Sequence, residues 1–222
     1  KAFLQHLRAQ LQSLHSVPVV VASDLENGAG RMVQDAISFP DNMGVAATDQ
    51  PEFALQMGEA AAREGRECGI HWSFGPVIDI NVNPHNPITN TRSFGDRQQT
   101  IQAFASNMIQ SMQQHGMAAC AKHFPGDGFD DRDQHLCTTV NPLSMEEWRA
   151  TSGALFQQMI DQGVWSIMIG HIALPAYHAD ESGLEHKAPS AVLSHKISTE
   201  LLRSEMGCQG LVISDASGLG GS

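Results

Sequence analysis

Gly116-Met117-Ala118-Ala119-Cys120-Ala121-Lys122-His123-Phe124-Pro125-Gly126-Asp127-Gly128 is a short apolar run that ends in a cation and an imidazole, and Asp133-Gln134-His135 follows a few residues on. The apolar part reads as a buried strand. A core strand has no structural use for Lys-His at its exit, because a buried charge must be paired or hydrogen-bonded at a cost. Charged groups gathered where a strand ends are what an α/β fold uses to hold a polar ligand.

Working outward, the same pattern recurs. Apolar runs at residues 17–23, 70–78, 164–170 and 210–214 end at Asp24, Asp79, His171 and Asp215. Between them lie stretches with helical spacing. These cover residues 2–15, 51–68 (opened by Pro51, with Asp49 as candidate cap), 96–115 (ended by Gly116), 144–163 and 194–206. Ser144 and Glu147 have the spacing of a capping box, and Gly163 closes that helix. Residues 122–142 read as one long loop.

Strands alternating with helices predict a parallel sheet covered by helices. One polar residue after a strand means little, since Asp is an ordinary loop residue. The same feature after every strand points to a common rim, where a (β/α)8 barrel places its site. A doubly wound sheet gives the same alternation but gathers its ligand at one crevice. The even spread of polar exits favours an α/β fold of the (β/α)8 TIM-barrel type, here an incomplete portion with about five βα units.

Composition narrows the function. The chain has 222 residues, 41% of them hydrophobic, and a net charge of −11. Nucleic acid and anionic membrane are therefore not expected as partners. No apolar stretch approaches a membrane span, and no signal-peptide pattern opens the chain. Cys68, Cys120, Cys137 and Cys208 are scattered without a CxxC pair, which reads as reduced thiols and a cytoplasmic location. Among 11 histidines, His123, His135 and His171 are candidates to converge, but no His-Glu-x-x-His spacing is present. Neither a metal nor a cofactor is expected. The run Asn27-Gly28-Ala29-Gly30 is a weak match to a phosphate loop.

Further motifs carry a resemblance. They are Asp24-Leu25-Glu26-Asn27-Gly28-Ala29-Gly30-Arg31, Gly75-Pro76-Val77-Ile78-Asp79-Ile80, Asn83-Pro84-His85-Asn86-Pro87, Arg92-Ser93-Phe94-Gly95, Lys122-His123-Phe124-Pro125-Gly126, Asp133-Gln134-His135 and Leu211-Val212-Ile213-Ser214-Asp215. In this order they resemble glycoside hydrolase family 3, and within it the NagZ-like β-N-acetylglucosaminidase (β-hexosaminidase) branch. The resemblance implies that residues 1–222 form an N-terminal catalytic barrel domain truncated at both ends.

It also implies roles. Asp215 matches the nucleophile, a role that suits a carboxylate ionised at neutral pH. Alone, an Asp after a parallel strand is as well explained as a helix cap. His135 matches the acid/base residue and Asp133 its orienting partner; imidazole titrates near neutrality and serves either step. An isolated Asp-x-His is more often solvated surface, and the length of the loop is what favours function. Lys122, His123, Asp24 and Arg92 match contacts to sugar hydroxyls, which charge-assisted bonds hold well.

Arg31 is assigned with them, although Glu-Asn-Gly-Ala-Gly-Arg replaces the usual Glu-Gly-Gly-Arg and shifts its register. Asp127 stands where a histidine usually follows Pro-Gly, and is expected to alter the charge beside the acid/base loop and thereby what occupies the neighbouring subsite. For His171 a structural role is weighed equally with one at the rim. The implied activity is retaining hydrolysis of terminal β-linked N-acetylglucosamine, including muropeptide-derived sugar. The alternatives are a family 3 β-glucosidase, a GlcNAc phosphorylase, or an inactive sugar-binding fragment.

Overall fold

The computed structural model describes residues 2–178 and 188–216. Parallel pairing joins β1 (Ala22–Ser23) to β2 (Trp72–Ser73), and β3 (Cys120–Phe124) to β5 (Ser166–Ile169) and on to β7 (Leu211–Ser214). Parallel bridges Trp72–Ala118 and Val77–Lys122 link β2 to β3. The wall strands thus follow one another in chain order with no reversal, as a barrel requires and a doubly wound sheet does not. The fold is an arc of a TIM-type α/β barrel. A small side pair, β4 (Thr139–Val140) with β6 (Ile172–Ala173), stands outside this wall.

Helix periodicity explains the outer layer. α3 (Glu52–Glu67) buries Ala54, Met57, Gly58, Ala61, Ala62 and Gly65, and α4 (Gln98–Gln114) answers with Ile101, Phe104, Ala105, Met108, Ile109 and Met112. The small residues let the two backbones approach: a Cβ on Gly58 would lie 2.6 Å from the Met108 carbonyl oxygen. On the inner face of α6 (Ser152–Asp161), Phe156 meets Phe124 of β3 edge to face at 5.0 Å. Trp148 of α5 (Met145–Ala150) packs on the same ring at 6.0 Å.

Several boundaries differ from the sequence reading. Residues 17–20 are not paired as strand, with Val17 and Val20 72% and 62% exposed, whereas Val21 packs partly against the core and its carbonyl accepts from the His71 amide at 2.8 Å. α1 (Ala2–Ser13) forms as expected but buries none of its residues. Asp49 does not cap α3: it takes a left-handed turn at φ 55°, and Pro51 holds the N-cap position without a side-chain bond. The capping box forms as read, Ser144 accepting from the Glu147 amide and Glu147 from that of Ser144. Thr151, at φ −123° and ψ −98°, splits that helix into α5 and α6. The stretch 196–205 is a π-helix, and beyond it the Met206 amide bonds back to Leu201. Residues 122–142 are not all loop, since β3 runs to Phe124 and β4 lies within them. Among the described residues, no helix is long and apolar enough to cross a membrane.

Candidate active site

The polar residues at the strand exits do meet. A cavity of about 320 Å³ opens at this rim, lined by Asp24, Glu26, Arg31, Arg92, Lys122, His123, His135 and Asp215 among others. In a regular strand Lys122 and His123 would point to opposite faces. A register shift between Lys122 and Phe124 breaks the alternation, and both side chains reach the mouth of the arc.

One side of the cavity is an ion-pair cluster. The buried Lys122 Nζ lies 2.6 Å from Glu26 Oε1 and 2.9 Å from Asp24 Oδ1. Arg92 grips Glu26 with two bonds, at 2.7 and 2.9 Å, and donates also to the Ile88 carbonyl. Burial alone would raise the Glu26 pKa, but the Arg92 bond and the Lys122 charge hold it at about 2. Burial likewise opposes charge on Lys122, and Glu26 and Asp24 overcome it, raising its pKa. Asp24 is half exposed, so its carboxylate faces both Lys122 and the open cavity. Arg31 stands at the mouth, exposed and paired to Asp41, which Thr91 also holds at 2.6 Å.

The other side holds the candidates for reaction. The Asp215 amide is anchored to the Ile169 carbonyl at 2.8 Å, and its Oδ1 accepts from the Ala216 amide. Among the described residues its Oδ2 has no hydrogen-bond partner, and it faces His135 Nε2 at 3.5 Å and His123 Nε2 at 3.8 Å. Burial would raise the Asp215 pKa, yet His123, the Ala216 amide, His135 and Lys122 together keep it below the usual value. An ionised carboxylate oxygen beside an imidazole can act as a nucleophile next to a proton carrier. Asp133 Oδ1 accepts from the backbone amide of His135 and contacts its Nδ1, both at 2.8 Å, which turns Nε2 toward Asp215.

Behind His123 lies a buried layer. Asp79 Oδ2 meets His123 Nδ1 at 2.7 Å, and Asp79 also accepts from the amides of His123 and Asp127. Asp127 is buried and is not among the residues lining this cavity; it stands beside the loop of Asp133 and His135, accepting from Gln134 Nε2 at 3.0 Å. Burial, and then the Asp79 charge, push its pKa well above the ordinary carboxylate value. His171 is buried too, with Nε2 3.1 Å from the Ala216 carbonyl oxygen, so its contacts are those of a packing residue. The glycines at 28 and 30 answer close packing: a Cβ there would sit 2.6 Å from the Ile37 carbonyl oxygen and 2.3 Å from Ser38 Oγ. Among the described residues no group of three His, Cys, Asp or Glu side chains is placed to hold a metal.

The model of the glycosyl hydrolase family 3 N-terminal domain matches residues 1–222. The chain belongs to glycosyl hydrolase family 3. A Cellulomonas fimi protein named β-N-acetylglucosaminidase/β-glucosidase is 42% identical over 95% of the chain and 38% of its own length. The β-hexosaminidase of Nitrosomonas eutropha is 29% identical over 96% of the chain and 61% of its own. Among solved structures, a β-glucoside phosphorylase, BglX, superposes with a TM-score of 0.92 at 34% identity, covering 99% of the chain and 40% of its own. NagZ from Neisseria gonorrhoeae gives 0.84 at 27%, covering 96% and 61%. The chain thus spans between about two fifths and three fifths of these relatives.

Of the residues given roles from the sequence, Asp24, Arg31, Arg92, Lys122, His123, His135 and Asp215 line the one cavity, and Asp133 stands behind His135. Glu26 and Asp79 went unassigned. Glu26 had a readable signal, since it lies two residues beyond Asp24 and an extended chain turns such a pair the same way. Asp79 was visible as a strand exit, but its contact with His123 depends on sheet register.

Proposed function

We propose that these residues belong to the barrel of a retaining exo-β-N-acetylglucosaminidase, with Asp215 as nucleophile and His135, oriented by Asp133, as acid/base. The observation that carries the reading is His135 Nε2 at 3.5 Å from Asp215 Oδ2, with Asp133 on the far ring nitrogen. Retaining glycosidases hold their two catalytic groups about 5–5.5 Å apart and inverting ones about 6.5–9.5 Å. The 3.5 Å gap lies on the retaining side of that division.

Asp215 attacks the anomeric carbon while protonated His135 gives its Nε2 proton to the departing oxygen. A covalent glycosyl ester remains, and His135 is neutral. His135 then takes a proton from water, the water oxygen attacks the anomeric carbon, and Asp215 leaves as carboxylate. Asp133 stabilises the imidazolium that enters the first step and is regenerated by the second. Lys122, Asp24, Arg92 and His123 hold the hydroxyls of the terminal sugar, and Arg31 contributes at the mouth. Muropeptide-derived β-linked N-acetylglucosamine is the substrate class proposed.

Replacing His135 by Ala tests this. Hydrolysis of nitrophenyl N-acetylglucosaminide should fall by about 10²–10⁴-fold, the usual worth of a general acid. Unchanged turnover, or faster cleavage of the matching glucoside by the parent protein, rejects the assignment. Phosphorolysis is the second reading. It is favoured by an acid/base group that becomes neutral after giving its proton, so it does not repel a phosphate dianion. Formation of sugar 1-phosphate when phosphate is added would select it.

A further inference from the structure

The loop that carries the proposed acid/base residue is pinned by its middle residue. Gln134 is 0% exposed, although Asp133 and His135 on either side are only partly buried. Its Nε2 donates to Asp127 Oδ2 at 3.0 Å, and its Oε1 accepts from the His171 amide at 2.8 Å. A carboxylate only accepts and a backbone N–H only donates, so one orientation of the Gln134 amide satisfies both ends. Asp127 is itself fixed, with Oδ1 accepting from Asn86 Nδ2 at 2.8 Å and from the Gly128 amide at 2.6 Å. Space is reserved for the clamp as well, since a Cβ on Gly170 would stand 2.5 Å from Gln134 Oε1.

The clamp meets a compact turn. Asp133 Oδ1 takes the His135 amide, and the Asp133 carbonyl accepts from the amides of Leu136 and Cys137. Asp133, Gln134 and His135 therefore move together, and a shift of the Gln134 amide becomes a shift of the imidazole.

We infer that Gln134 is a positioning residue, clamped between Asp127 and the His171 amide so that the His135 imidazole stands over Asp215. This rests on the reading of His135 as the proton donor. The pair Asp127 and Gln134 carries one negative charge and one donor. Reversing it, with Asp127→Asn and Gln134→Glu made together, would keep the same charge and place the donor on the other side. The His171 amide would still find an oxygen.

The test uses the full polypeptide carrying these residues and two N-acetylglucosaminides, one with an unactivated sugar aglycone and one with 2,4-dinitrophenol, which leaves without protonation. The ratio of the two rates is taken within each variant and is therefore independent of the folded fraction. Gln134→Glu sets two carboxylates against each other, and Asp127→Asn sets two amide donors together. Each should cut kcat/KM on the unactivated glycoside by about 100-fold, the cost of a misplaced group, and that on the dinitrophenyl glycoside by less than about fivefold. The double variant should regain both rates to within about fivefold, as expected for directly coupled partners.

Equal losses on both glycosides, no loss, or a double variant as poor as the worse single one overturns the inference. His135→Ala is the reference. If its loss does not depend on the leaving group, the proton-donor reading falls and takes this inference with it. If His135→Ala shows the dependence and the Gln134 and Asp127 variants do not, only this inference falls.

Discussion

Around Lys122 the charged atoms stand 2.6–2.9 Å from their partners, whereas around Asp215 the facing imidazole nitrogens stand at 3.5 and 3.8 Å. The first region is a cluster already satisfied without sugar, with Glu26 gripped by both Lys122 and Arg92. The second leaves Asp215 Oδ2 without a hydrogen bond among the described residues, while nearby positive groups keep the carboxyl pKa below its usual value. Pre-formed ion pairs fix where a sugar sits and require no rearrangement when it binds. An unsatisfied carboxylate oxygen retains the lone pair that a reaction needs. Under the proposed roles, holding and reacting are separated within one cavity.

Breaking the reacting side should have the largest effect. Asp215→Ala should lower kcat by at least about 10⁴-fold, the scale seen when a nucleophile is deleted. The binding constant for N-acetylglucosamine, measured by calorimetry, should stay within about threefold, because Lys122 and Asp24 are the proposed sugar contacts.

Breaking the holding side should appear first in stability. Glu26 falls from an ordinary value of 4.5 to about 2, which corresponds to about 3 kcal/mol of stabilisation. A lowered carboxyl pKa stabilises the fold above the ordinary value, and that contribution is lost as pH falls through the folded one. Glu26→Gln should therefore be less stable at pH 7 by about 3 kcal/mol in urea unfolding. The difference should shrink between pH 4.5 and about 2. A gap that does not change with pH would show that packing, not charge, held Glu26.

The smallest effect should come from Asp24→Asn. Its carboxyl is half exposed, so the melting temperature should hardly move. Loss of one charge-assisted bond to sugar should still raise KM by about tenfold with kcat kept. A large stability loss instead would assign Asp24 to the folded framework and blur the division between the two regions.

The strand exits make this site legible in the sequence. Asp24, Lys122, His123 and Asp215 follow apolar runs, and a parallel wall in chain order brings such residues to one rim. Strand extents were less readable. The β-branched stretch at 17–20 looks like a strand by propensity, but pairing depends on neighbours, and Val17 and Val20 stay exposed. Asp49 has the chemistry of a cap, yet the chain spends it on a left-handed turn ahead of Pro51. The contact of Asp127 with Gln134 had no local signal, since it arises only when the loop folds back on itself.

The most direct measurement is covalent trapping. The full polypeptide is incubated with a 5-fluoro N-acetylglucosaminyl fluoride, which slows release of the glycosyl ester, and the labelled peptide is mapped by mass spectrometry. The account predicts one sugar esterified to Asp215, and no faster loss of the adduct in His135→Ala. Steady turnover with the label on another carboxyl, or with no adduct while the sugar's configuration inverts, would contradict it.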